Sequence, residues 1–117
     1  MTLQEILTSL QAELLTPEAD LSVQVHAACG SDMMSDVLAY VKDQAVLLTG
    51  LNNPQVIRTA DMMDMRCVIF VRGKQPDRTL LALAADRGIA VMTTRLPMFT
   101  ACGNLYAGGL RGGTPHE

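Results

Sequence analysis
The chain reads as an α/β domain, a three-layer sandwich with a mostly parallel sheet of four or five strands. Three observations predict it. Cys67-Val68-Ile69-Phe70-Val71 and Ile89-Ala90-Val91-Met92 are unbroken apolar runs, the pattern of strands covered on both faces. Between them a helix opens near Pro76-Asp77 and closes at Gly88. After the second run Thr93-Thr94 breaks the pattern, and another helix starts around Leu96-Pro97. Strand and helix in alternation mean parallel strands joined by crossovers.

The first element is a helix. Thr2-Leu3-Gln4-Glu5 has the form of a capping box, in which hydroxyl and carboxylate each satisfy a backbone N–H of the first turn. Leu3, Ile6, Leu7, Leu10 and Leu14 recur at helical spacing, so the helix is expected to end near Leu15. A loop from Thr16 to Asp20 follows. Ser22 to Ala28 alternates, with Val23, Val25 and Ala27 on one side and His26 on the other. That predicts a half-exposed edge strand, antiparallel to the rest.

Gly30 permits a turn, and Ser31 is expected to cap a helix to about Lys42 with Met34, Val37, Leu38 and Val41 inward. Met33 and Tyr40 widen its apolar face beyond what a sheet requires. Ala45 to Thr49 is the first central strand. Asn53 and Pro54 are a cap and a first helical residue for a helix to Met65 that buries Val56, Ile57, Ala60 and Met63. In the last helix Met98, Phe99, Cys102, Leu105 and Tyr106 cover nearly half the circumference, and its end is weakened by Gly103, Gly108 and Gly109. Residues 1–110 form the domain, and 111–117 are expected to be a flexible tail.

Composition narrows the function. At 117 residues the chain is one domain, 49% hydrophobic and 18% charged, which is globular rather than disordered. Aromatics make up 3%, and eight Met fill apolar volume instead; Met-rich helix faces suit partner contact. A net charge of −3 without a basic stripe argues against nucleic acid. No apolar run reaches the roughly twenty residues of a membrane span. The opening Met-Thr-Leu-Gln-Glu reads as a helix start rather than a signal peptide, so a cytoplasmic location is expected. Cys29, Cys67 and Cys102 are dispersed and read as reduced thiols. No metal and no cofactor are expected, since His26 and Cys29 are the only close pair of ligand types.

Ligands of parallel sheets sit at the carboxyl ends of the strands. The loops there hold Gly30-Ser31-Asp32, Thr49-Gly50-Leu51-Asn52-Asn53, Arg72-Gly73-Lys74 and Thr93-Thr94-Arg95. Hydroxyls, amides, cations and helix N–H groups together suit a small anion such as a phosphate or a carboxylate. Ser31, Asp32, Thr49, Asn52, Arg72, Lys74, Thr93 and Thr94 are therefore the candidate ligand-binding residues. No residue is assigned as catalytic. A Walker A sequence is absent, and a Ser-His-Asp arrangement would need His26 from an edge strand or His116 from the tail.

The segments Gly30 to Leu38, Val46 to Gly50, Val68 to Asp77 and Gly88 to Thr94 resemble the DRTGG domain family, over about residues 1 to 110. The likeness is to its single-domain members, which often accompany iron-only hydrogenase genes. That family is similar to the N-terminal domain of HPr kinase/phosphorylase, and occurs as an accessory domain in phosphotransacetylases and CBS-containing pyrophosphatases. The resemblance implies a non-catalytic regulatory or assembly domain, commonly a homodimer. Its setting would be redox (hydrogenase-type) or acyl-phosphate metabolism, with a protein partner in a redox enzyme system. The alternative is a sensor binding a small phosphorylated ligand or nucleotide at the strand ends. Many relatives carry Thr-Gly-Gly after the third core strand, where this chain has Val71-Arg72-Gly73. Asp77-Arg78-Thr79 continues as Leu80-Leu81, so its match to the first letters of the family name is coincidental.

Overall fold
A computed structural model describes residues 1–40 and 46–112. Strands β1 (Glu13–Leu14), β2 (Ala28–Gly30), β3 (Val46–Thr49), β4 (Cys67–Phe70) and β5 (Ala90–Thr93) form one sheet in the order β1-β5-β4-β3-β2. The pairs β2–β3, β3–β4 and β4–β5 are parallel, and β1 joins β5 antiparallel. The helices are α1 (Leu3–Ser9), α2 (Met34–Tyr40), α3 (Gln55–Met62), α4 (Arg78–Asp86) and α5 (Met98–Ala107).

All four residues of β3, β4 and β5 are buried, and their side chains alternate between two cores. Leu47, Val68, Phe70 and Val91 face Met34 and Val37 of α2, Val56, Ile57 and Ala60 of α3, and Leu80 and Ala84 of α4. Val46, Leu48, Ile69 and Met92 face Leu3 and Ile6 of α1 and Ala101 and Leu105 of α5. Helices therefore cover both faces, and the three-layer arrangement expected from the apolar runs is the one observed.

The caps form as the residue types require. Thr2 and Glu5 complete the capping box, Asp77 accepts from Leu80 N–H at 3.0 Å, and Asn53 Oδ1 accepts from Gln55 N–H at 2.8 Å. Pro54 precedes α3 with helical angles of φ −56° and ψ −22°. Gly88 ends the α4 turn at φ +69°, a region that costs glycine nothing.

Three elements differ from expectation, and so does the burial of two side chains. Helix α1 stops at Ser9, not near Leu15, because Gln11 turns the chain at φ +48° and Glu13–Leu14 joins the sheet. Leu14 fits both helical spacing and an edge strand, and the tertiary partner decides: Leu15 N–H donates to Val91 O and Thr16 Oγ1 accepts from Val91 N–H. The antiparallel edge expected at Ser22 to Ala28 is therefore β1. The strand in that region is the short β2, and it runs parallel. Upstream of it, Leu3 and Gln4 donate their N–H groups to Val23 O and Leu21 O, so this segment packs along the start of α1. Helix α3 ends at Met62, short of Met65, since Asp64 takes a left-handed φ of +55° and Met65 turns inward. Leu38, expected inward, is 42% exposed, and Met63 is only half-buried.

Val41, Lys42 and Ala45, placed in the α2 and β3 expectations, lie outside the described residues, as do 113–117. At the start of the expected tail, Arg111 donates its N–H to His26 O and accepts from Ala28 N–H, a parallel bridge beside β2.

Candidate functional site
Parallel strands deliver their following loops to one rim, and β2, β3, β4 and β5 do so here. The loop after β2 is joined to the loop after β3 by Asp32. Its Oδ1 accepts from Thr49 Oγ1 at 3.2 Å and from Gly50 N–H at 2.7 Å. Thr49 Oγ1 in turn accepts from Leu51 N–H at 3.1 Å. Ser31 Oγ accepts from Met33 N–H at 3.0 Å and so shapes the entry to α2.

The loops after β4 and β5 run side by side. Arg72 N–H donates to Leu96 O at 2.9 Å and Gly73 N–H to Thr94 O at 2.8 Å. Thr93 Oγ1 donates to Lys74 O at 2.7 Å, and Asn52 Nδ2 donates to Gln75 O at 3.2 Å. Arg72 sits in the left-handed region at φ +58°, a conformation that costs a non-glycine residue about 1 kcal/mol or more. Its guanidinium crosses over Gly50: a Cβ added there would lie 2.6 Å from Arg72 Nη2.

The eight candidates thus divide by what the fold asks of them. Thr49, Thr93 and Thr94 are buried, and their hydroxyls hold backbone; Thr94 Oγ1 donates to Leu10 O at 2.8 Å. Asp32, Asn52, Arg72 and Lys74 are exposed and Ser31 is half-exposed. Among the described residues, ion pairs are confined to Arg87 with Asp61 and Asp86, so Arg72 and Lys74 form none. Arg95, in the same rim but outside the candidate set, also forms none and lines a groove of about 310 Å³ with Gly73, Gln75, Thr94 and Glu13. Its place directly after Thr93-Thr94 was the signal for it. Arg78, the first residue of α4, carried no motif and is visible only from the helix boundary.

Roomier hollows of about 730 Å³ and 580 Å³ open at the opposite rim, beside Asp61, Arg66 and Arg87 and beside Thr16, Val23 and Ile89 respectively. That rim receives the C-terminal ends of α3 and α4, where the helix dipole disfavours an anion. The smaller groove lies on the rim from which α4 and α5 start, and Arg95 and Glu13 both line it. Among the described residues no group of three or more His, Cys, Asp or Glu is placed to hold a metal ion. No helix there is long and apolar enough to cross a membrane. Burial pushes the Cys67 thiol up to about 12 and raises Cys29 and Cys102 by smaller amounts, Cys102 adding to the effect on Cys29. None of the three is an activated nucleophile.

Fold and rim together define a three-layer α/β domain of mostly parallel sheet, with exposed cations on the loops at the carboxyl ends of its strands. The chain belongs to the DRTGG domain family, whose family model matches residues 5–106. Among solved structures it is similar to the CBS and DRTGG domains of the regulatory region of Clostridium perfringens pyrophosphatase, complexed with the activator diadenosine tetraphosphate. The identity is 20% and the TM-score 0.73, over 89% of this chain and 45% of that one. The likeness is one of fold, and the chain spans less than half the length of that structure.

Proposed function
We propose that this chain is a non-catalytic regulatory module that works as a homodimer assembled through α5. The observation that carries it is the outer face of that helix. Phe99 is 89% exposed and Tyr106, two turns further on, is 61% exposed. Between them Gly103 has open space where a side chain would be. Arg111 stacks on Tyr106, its guanidinium 4.1 Å from the ring centroid, and holds the aromatic ring in place. A flat helix face with a glycine at its centre and aromatic rings at both ends suits a two-fold crossing of α5 with its own copy. Met33, 61% exposed near the start of α2, extends the apolar surface of the molecule.

Membership of a family found in a regulatory region supports the regulatory role. A setting in redox or acyl-phosphate metabolism, with a protein partner there, rests on the resemblance to single-domain family members. A cytoplasmic location fits three unpaired thiols. Sedimentation of the wild type and of Phe99→Asp tests the assembly: a dimer is expected for the first and a monomer for the second. A wild type that stays monomeric at high concentration would remove the proposal.

A second reading is favoured by the rim. There a small phosphorylated ligand would meet Arg72, Lys74 and the amide of Asn52, with Ser31 and Asp32 at its edge. The buried hydroxyls of Thr49, Thr93 and Thr94 would act on such a ligand only by fixing the loops. The structure related by fold is complexed with a nucleotide activator, which is consistent with an anionic effector here.

A further inference from the structure
At the end of α5, Leu110 N–H donates to Leu105 O and Gly109 N–H to Tyr106 O, with Gly109 at φ +113°. This is the Schellman closure, in which a left-handed glycine turns the chain back across the last helical turn. Leu105 and Leu110 are both buried in the core that α5 covers, as the motif's apolar contact requires.

The turn delivers Arg111 to the outer edge of β2. Its N–H donates to His26 O at 3.3 Å, and its carbonyl accepts from Ala28 N–H at 2.9 Å. The side chain reaches back over α5. Nη1 donates to Tyr106 O at 2.9 Å and to Leu110 O at 2.8 Å, at the helix end where the dipole favours a cation. The same guanidinium lies 4.1 Å from the Tyr106 ring centroid. One residue thus joins the edge of the sheet to the aromatic end of the α5 outer face.

Met98 to Leu110 carries no charged residue, so Arg111 supplies a cation only at the end of that face. Phe99 and Tyr106 lie on either side of Gly103 at nearly equal spacing. In an antiparallel crossing about Gly103, Tyr106 of one copy therefore meets Phe99 of the other. An exposed ring without a partner samples several rotamers, and fixing it on association costs entropy. The stack on Arg111 removes that cost beforehand.

We propose that Arg111 is a positioning residue for assembly, which couples dimerisation through α5 to the docking of this turn on the edge of β2. The proposal deepens the homodimer reading and rests on it. The free subunit presents the ring already in place, and lifting residue 111 from β2 releases the ring and weakens the dimer.

Sedimentation equilibrium on the full chain tests this. Arg111→Ala keeps the backbone bonds to β2 but loses the stack. It should weaken the dimer about tenfold, because two-fold symmetry repeats the loss at both ends of the interface. Arg58→Ala, which removes an exposed charge from α3, should change it by less than about twofold. In a Tyr106→Leu background Arg111→Ala should add less than about twofold, since no ring is left to position. Ala28→Pro deletes the N–H that bonds Arg111 O, on an edge strand where proline is tolerated. With a cooperative urea transition retained, it should weaken the dimer at least about threefold.

Wild-type affinity in Arg111→Ala would overturn the proposal while leaving the dimer standing. An equal loss in Arg58→Ala would mark a general effect of charge and overturn it too. An equal loss from Arg111→Ala with and without the Tyr106 ring would mark a structural role instead of positioning. Wild-type affinity in Ala28→Pro would overturn the coupling to β2. A monomeric wild type would remove the homodimer reading and this inference with it.

Discussion

The guanidinium of Arg72 occupies the space a side chain at residue 50 would need, with Nη2 2.6 Å from the position of a Cβ on Gly50. The same Gly50 donates its N–H to Asp32 at 2.7 Å. One small residue thus lets a cation from the loop after β4 lie over the loop after β3, beside the carboxylate that fixes the loop after β2. Gly50→Ala should fold with stability within about 1 kcal/mol of the wild type, because the obstructing atom ends a flexible, exposed side chain. It should nonetheless displace the Arg72 guanidinium. Urea unfolding checks the first half, and the Arg72 Nε–H resonance in an NMR spectrum of the same sample checks the second.

Arg72 itself is strained. Arg72→Gly should raise stability by about 0.5–1 kcal/mol, since relief of the left-handed φ outweighs the extra chain entropy of glycine. A loss of 1 kcal/mol or more in urea unfolding would show that the arginine side chain stabilises the unliganded rim. It would then be no ligand contact held at a cost.

Asp32 ties two loops together. Asp32→Ala should cost about 1–2 kcal/mol, because Gly50 N–H and Thr49 Oγ1 lose a shared acceptor. Asp32→Asn should cost less, as an amide oxygen still accepts. Equal losses in the two variants would mean that the charge, rather than the hydrogen bonds, is what counts.

The thiols predict an alkaline limit. Cys67 is fully buried and its thiol is raised from the ordinary 9.0 to about 12. Below pH 9 the thiol is neutral in both folded and unfolded chains and has no effect. Above it the unfolded chain loses the proton first, so stability should fall by about 1.4 kcal/mol for each pH unit up to about 12. Cys67→Ala should flatten that slope in urea titrations. In the native protein near neutrality, alkylation should reach Cys29 and Cys102 and spare Cys67.

Much of this was legible in the chain. β3, β4 and β5 are buried on both faces, so their composition alone announces them. Thr2, Asn53 and Asp77 cap through local bonds that depend on few neighbours. Leu14 and the alternation at Ser22 to Ala28 misled for the opposite reason. A two-residue strand exists only through its pairing with β5, and Val25 is buried against its surroundings without being in a sheet. The rim was recognisable as a place, but not in its division of labour. Thr49, Thr93 and Thr94 look like ligand hydroxyls until their backbone partners, up to 84 residues away, are known. Nothing in Val71-Arg72-Gly73 reveals that Arg72 adopts φ +58°.

Sedimentation across a concentration series decides whether α5 pairs with its own copy. Phe99 is so exposed that Phe99→Asp should leave the subunit folded, with a cooperative urea transition whose midpoint, unlike that of the wild type, does not depend on protein concentration. The wild type should sediment as a dimer and Phe99→Asp as a monomer at the same concentration. A monomeric wild type, or a Phe99→Asp variant that remains dimeric, would rule out pairing through α5.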